Sequence, residues 1–130
     1  MIFLINNFIM FNVSVFKENF NEKARLSESQ KIMHKYPDRL PIICERGRFC
    51  HSSIPKLDKI KYLVPYDLTV GQFIYVIRRR LKLNPYQTIF MYSGNKMINN
   101  TEPIGALYLS SKDNDGFLYL FYISENVFGN

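Results

Sequence analysis

Between residues 39 and 124, apolar positions switch repeatedly between the two-residue rhythm of strands and the longer rhythm of helices. "LPIICER" is a β-branched run that reads as a strand, and "GRFCHSSIPKLD" after it reads as a loop. "KIKYLVPY" is a second strand closed at Pro65, with Lys61 and Leu63 on one face and Tyr62 and Val64 on the other. A lysine-bearing strand stopped by proline fits a sheet edge, where backbone groups stay unpaired. "TVGQFIYVIRRRLKLNP" carries the clearest helix signal. Thr69 can N-cap it, Gln72 completes a capping box, and Val70, Phe73, Ile77 and Leu81 fall on one stripe. Arg78, Arg79, Arg80 and Lys82 crowd its last turn, where they complement the helix dipole, and Asn84-Pro85 stops it.

"TIFMYSGNKMIN" predicts two short strands around a turn at Ser93-Gly94-Asn95, followed by a brief helix near Gly105 to Leu109. After the turn "KDNDG", "FLYLFYI" is apolar on both faces, which places it at the centre of a sheet with helix on at least one side. Upstream, Lys17 to Tyr36 is polar and helix-compatible. The spacing there predicts one helix over Phe20 to Leu26 and a second capped by Ser27 and Gln30, which Pro37 ends. The order is two helices, then β-β-α-β-β-(short α)-β. That is an α+β chain with the ubiquitin-like β-grasp layout and two extra N-terminal helices. It divides into an apolar extension over 1–15, a folded domain over 16–125 and a flexible tail over 126–130.

Composition narrows the function. Hydrophobic residues make up 47% of the 130, enough for one packed core and too many for a disordered chain. The net charge of +6 asks for an acidic partner, whether peptide, anionic membrane or nucleic acid. Arg78-Arg79-Arg80, with aromatic strands as a stacking platform, would serve the nucleic-acid alternative, although a cluster at a helix end is more often a solvated cap. "CERGRFCH" invites a zinc reading through Cys44, Cys50 and His51, but His34 is the sole further ligand and a second close pair is missing. Cys44 reads better as a small buried hydrophobe, and no catalytic constellation stands out, so an enzyme is not expected. Two cysteines without a scaffold pattern point to a reducing compartment. "MIFLINNFIMFNVSVF" is too short an apolar run to span a bilayer and lacks a basic signal region. It reads as a packed or membrane-touching segment, an uncleaved anchor, or an over-extended start before Met10.

"KYPDRLPIICER", "KIKYLVPYDLTVGQFIYVIRRRL" and "DGFLYLFYISENVFG" resemble, in order and spacing, the autophagy ubiquitin-like modifier family, the family of the GABA-receptor-associated protein. The resemblance covers about Phe16 to Gly129. The loop "GRFCHSSIP" is slightly longer than usual, and Ser93 to Pro103 matches weakly. The resemblance implies a precursor cleaved behind a glycine by an autophagy cysteine protease. Phe128 would be the handle, Gly129 the new terminus and Asn130 the residue removed. Activating and conjugating enzymes would then pass Gly129 to the amine of phosphatidylethanolamine, moving the protein from the cytoplasm to autophagosomal or other organelle membranes. No cofactor is implied. Cargo receptors and adaptors bearing an aromatic-x-x-aliphatic motif would dock on the Lys61-Tyr62-Leu63 edge. By the same resemblance, Glu28, Ile32, Pro41, Lys61, Leu63 and Phe117 would line the aromatic pocket. Tyr62, Val64, Pro65, Leu68, Phe73 and Val76 would line the aliphatic one. Phe73 and Val76 serve equally well as ordinary core between helix and sheet. Arg39, Lys59, Lys61 and Arg80 could steer acidic flanks of the peptide.

Overall fold

The computed structural model describes residues 12–124. Helices α1 (Val15–Asn19) and α2 (Glu22–Lys35) lead into strands β1 (Arg39–Arg46) and β2 (Lys61–Pro65). Helix α3 (Val70–Leu81) follows, then β3 (Ile89–Ser93), β4 (Lys96–Met97), α4 (Ile104–Ser111) and β5 (Leu118–Ser124). The strands form one sheet in the order β2-β1-β5-β3-β4. β1 and β5 run parallel at its centre, and the other pairs are antiparallel. This mixed five-stranded sheet with its crossing helix is the expected ubiquitin-like α+β fold.

Sequence and structure agree most closely along α3. Thr69 Oγ1 accepts from the Gln72 N–H and Gln72 Oε1 accepts from the Thr69 N–H, the reciprocal capping box. Val70, Phe73, Ile77 and Leu81 are buried as a stripe, joined by Ile74. They pack on one face of the sheet against Ile42, Cys44, Leu118, Leu120 and Tyr122. The helix stops earlier than Asn84-Pro85 implies, because Lys82 turns left-handed at φ 56° and its N–H reaches the Arg78 and Arg79 carbonyls. The β3–β4 connection places Gly94 at φ 61°, a conformation that costs glycine little.

The N-terminal helices differ from the expected boundaries. α1 starts five residues earlier than Phe20, because the Ser14 hydroxyl accepts from the Lys17 N–H and caps it. Phe20 is extended and ends α1, and Asn21 then caps α2 through the Ala24 N–H. Ser27 lies inside α2 and caps nothing, so its spacing to Gln30 is a coincidence of a polar helix surface. Asn12 to Val15, assigned to the extension by the sequence, are tied to the domain. The Asn12 side chain donates to the Gly94 carbonyl and accepts from the Arg48 N–H, both at 2.9 Å.

α1 and α2 close the other sheet face, where Phe16, Ile43, Phe117, Tyr119 and Phe121 form a second apolar cluster. A buried polar clamp fixes α2 there. Asp115 is fully buried and accepts from the Arg25 guanidinium and the Tyr119 hydroxyl, each at 2.5 Å, and from the Phe117 N–H at 2.8 Å. Ser29 donates to the Asp115 carbonyl at 2.5 Å. Gly116, at φ 89°, lies so close to Ser29 that a Cβ would sit 2.4 Å from its hydroxyl. Every strand position of β5 is buried, as a central strand requires.

Candidate functional site

β2 pairs with β1 on one side, and among the described residues its other side is a sheet edge. Pro41 stands opposite Leu63 and Ile43 opposite Lys61, so these four share one face across the two strands. Phe117, entering β5, is 1% exposed and meets Phe16 edge-on with ring centroids 5.4 Å apart. Ile32 on α2 packs against this cluster. Glu28, one turn earlier on α2, forms an ion pair with Lys61. The Lys61 ammonium also lies 5.3 Å from the centre of the Phe16 ring. The fold thus gathers Glu28, Ile32, Pro41, Lys61, Leu63 and Phe117 at one place. Leu63 remains 36% exposed beside this apolar cluster, which leaves its side chain open to a partner.

The opposite face of β2 meets α3. Tyr62 stands edge-on to Phe73, with centroids 5.6 Å apart and planes at 86°. Val64 is buried, and Leu68 packs at the margin of the same cluster. Phe73 is fully buried, so it supports this surface from beneath, whereas Val76 is 41% exposed beside it. A groove of about 480 Å³ runs between β2 and α3, bounded by Lys59, Tyr62, Tyr75, Val76, Arg79 and Arg80. Burial pushes the Tyr62 phenol up to about 12, and its hydroxyl donates to the Lys59 carbonyl at 2.6 Å. Pro65 ends the edge, opposite Arg39, which is exposed.

Several contributors were not legible in the sequence. Phe16 and Ile43 complete the first cluster, and Tyr75 and Arg79 bound the groove. The signal for Tyr75 and Arg79 was their i, i+4 spacing on α3, with the Arg79 guanidinium 5.9 Å from the Tyr75 ring. The three arginines of α3 have separate duties. Arg78 donates to the Gln87 and Asn84 carbonyls and braces the loop after the helix. Arg80 pairs with Asp58, and that hydrogen bond, followed by the charge, holds the Asp58 carboxyl below its usual range. Cys44 and Cys50 are both free and packed in the apolar cluster with α3, and burial pushes the Cys44 thiol far up. Among the described residues, no group of three metal-ligating side chains converges, and no helix is long and apolar enough to cross a membrane. Phe128, Gly129 and Asn130 lie outside the described residues.

A β-grasp sheet with a free edge strand, flanked by an apolar cluster on each face, defines a ubiquitin-like protein. The family described as "Autophagy protein Atg8 ubiquitin like" matches residues 24–129. The chain is 47% identical over 116 residues to Autophagy-related protein 8 of Mycosarcoma maydis, covering 89% of this chain and 97% of that protein. It is 48% identical over 116 residues to Autophagy-related protein 8 of Schizosaccharomyces pombe, covering 89% and 94%. Against Autophagy-related protein 8a of Arabidopsis thaliana it is 48% identical over 116 residues, covering 89% and 93%. The crystal structure of Trypanosoma brucei ATG8 superposes with a TM-score of 0.81 at 40% identity, covering 87% of this chain and 96% of that one. The chain therefore belongs to the Atg8 family of ubiquitin-like autophagy proteins.

Proposed function

We propose that this protein is a modifier joined through Gly129 to phosphatidylethanolamine, and that on autophagosomal membranes it recruits cargo receptors and supports membrane formation. The observation that carries this reading is the family match, which spans the edge strand and runs through Gly129. A cysteine protease hydrolyses the Gly129–Asn130 bond and leaves a free glycine carboxylate. The activating enzyme joins that carboxylate to the nucleotide of a nucleoside triphosphate, releasing pyrophosphate. Its thiol then displaces the nucleoside monophosphate to form a thioester, which passes to the conjugating enzyme's thiol by exchange. The lipid amine then attacks the thioester carbonyl. The amide C–N bond forms, the C–S bond breaks and the amine proton leaves with the thiol. Glycine suits this route because its unbranched backbone can extend into a narrow enzyme site. Phosphatidylethanolamine brings two acyl chains, and two chains anchor stably where one binds marginally.

Receptors dock by adding a strand to β2, with an aromatic side chain at the Lys61/Leu63 face and an aliphatic one at the Tyr62/Val64 face. Each anchor contributes on the order of 1.5–3 kcal/mol, and after the ordering cost the affinity falls in roughly the micromolar range. Lys59 and Arg39 lie exposed near the edge, where they suit acidic residues of the peptide. In this role the protein is a carrier and substrate of other enzymes. Cell fractionation tests the reading: Gly129→Ala should abolish membrane recovery while peptide binding is kept. Persistent membrane recovery of that variant would count against the lipid anchor.

A further inference from the structure

Glu45 lies two residues beyond Ile43 on β1 and on the same face of the sheet. It is 7% exposed, yet only half of its carboxylate is engaged. Oε2 accepts from the Phe16 N–H at 3.1 Å, whereas Oε1 has no hydrogen-bonding partner among the described residues. Leaving a charged oxygen unsatisfied is costly, and such groups in folded proteins call for a donor. Glu45 lines a cavity of about 200 Å³ whose apolar walls are Val13, Val15, Leu57 and Ile60.

The cavity continues the docking edge. Ile60 directly precedes Lys61, and its carbonyl accepts from the Cys44 N–H at 2.8 Å, carrying the β1–β2 ladder one residue past β2. Phe16 links the two places, with the Lys61 ammonium over its ring and its N–H on Glu45. A peptide strand running along β2 and past Lys61 therefore meets this cavity next.

We propose that the cavity is a third subsite of the docking edge, taking a lysine side chain of the bound peptide with its ammonium on Glu45 Oε1. The inference rests on the reading of β2 as the docking edge. Four methylenes match the apolar walls, and a compact ammonium suits a single unpaired oxygen, which is itself buried and is reached when the Glu45 side chain turns toward the cavity. Arginine fits less well, because its fork prefers both carboxylate oxygens and the Phe16 N–H holds one. The Arg46 guanidinium does not compete for Glu45, since it donates to the Cys50, His51 and Ile54 carbonyls.

Titration calorimetry on the full chain tests this with synthetic aromatic-x-x-aliphatic peptides. Lysine, arginine, norleucine, glutamine or tryptophan is placed in turn at each of the four positions on either side of the motif. Lysine should bind about tenfold tighter than norleucine at one position, and Glu45→Gln should remove that advantage while binding the unextended motif unchanged. The comparison on the unmutated protein stands even if Glu45→Gln folds poorly. A flat scan, as expected if Lys56 on the rim fills the cavity itself, or a preference for tryptophan or arginine, would overturn the lysine subsite. In either case, retained binding of the unextended motif would leave the docking edge intact. Failure of every peptide to bind would instead overturn the edge reading and the subsite with it.

Discussion

Lys61 holds two contacts at once, an ion pair with Glu28 and a cation–π contact with Phe16, so the polar rim of the proposed aromatic pocket is already organised in the chain alone. Its side chain is 43% exposed, so the ion pair adds little stability and its value lies in positioning. Lys17 and Asp113 form a comparable pair at 2.5 Å, joining α1 to the turn before β5. Burial raises the Asp113 carboxyl, but hydrogen bonds from Lys17 and the Asp115 N–H, with the nearby charges, outweigh it and leave the group below its usual range. A depressed carboxyl stabilises the fold above its unfolded value, about 3.9, and loses that contribution as pH falls through its folded value. Asp113→Asn should therefore cost up to about 1 kcal/mol in urea unfolding at pH 5–7. The gap should close below about pH 4, and a gap unchanged down to pH 2 would contradict the assignment. At this scale the sequence showed which residues were polar but not which would pair. Lys17 and Asp113 are 96 positions apart, and only the fold brings them together.

Among the elements, α2 and β2 decide whether the site exists. α2 contributes Glu28 and Ile32, and it is fixed by Arg25 and Ser29 at the Asp115 turn. Arg25→Ala strands a fully buried carboxylate, so it should destabilise the protein by about 3–5 kcal/mol in denaturant unfolding. A loss below about 1 kcal/mol would show that the clamp is not structural. Leu63→Ala should leave the fold intact because Leu63 is half-exposed, yet weaken motif binding about tenfold by calorimetry. Unchanged affinity would move docking away from this edge. The helix α3 was legible because its capping box and buried stripe are local signals that the fold reinforces. The start of α2 was not, because polar residues with capping chemistry recur at Ser14, Asn21 and Ser27. Packing of Phe16 and the Arg25 clamp choose among them. The edge position of β2 was readable from lysine and proline, while the contributions of Phe16 and Tyr75 required knowing which elements become neighbours.

Across the whole molecule, the net charge is +6, and several of its cations have partners within the fold. Arg78 braces a loop and Arg80 pairs with Asp58, which removes two of the three arginines that a nucleic-acid patch on α3 would need. The remaining exposed cations near β2 suit a peptide with acidic flanks and an anionic membrane surface alike. The β-grasp order was legible throughout, because each strand carries its own alternation or apolar run. The fate of Phe128-Gly129-Asn130 was legible only by resemblance, since three residues carry too little pattern to reveal a role. Intact-mass analysis of the protein isolated from its own cells tests that point most directly. A population lacking Asn130 is expected, part of it heavier by one phosphatidylethanolamine on Gly129. Protein that keeps Asn130 throughout and carries no lipid would contradict it.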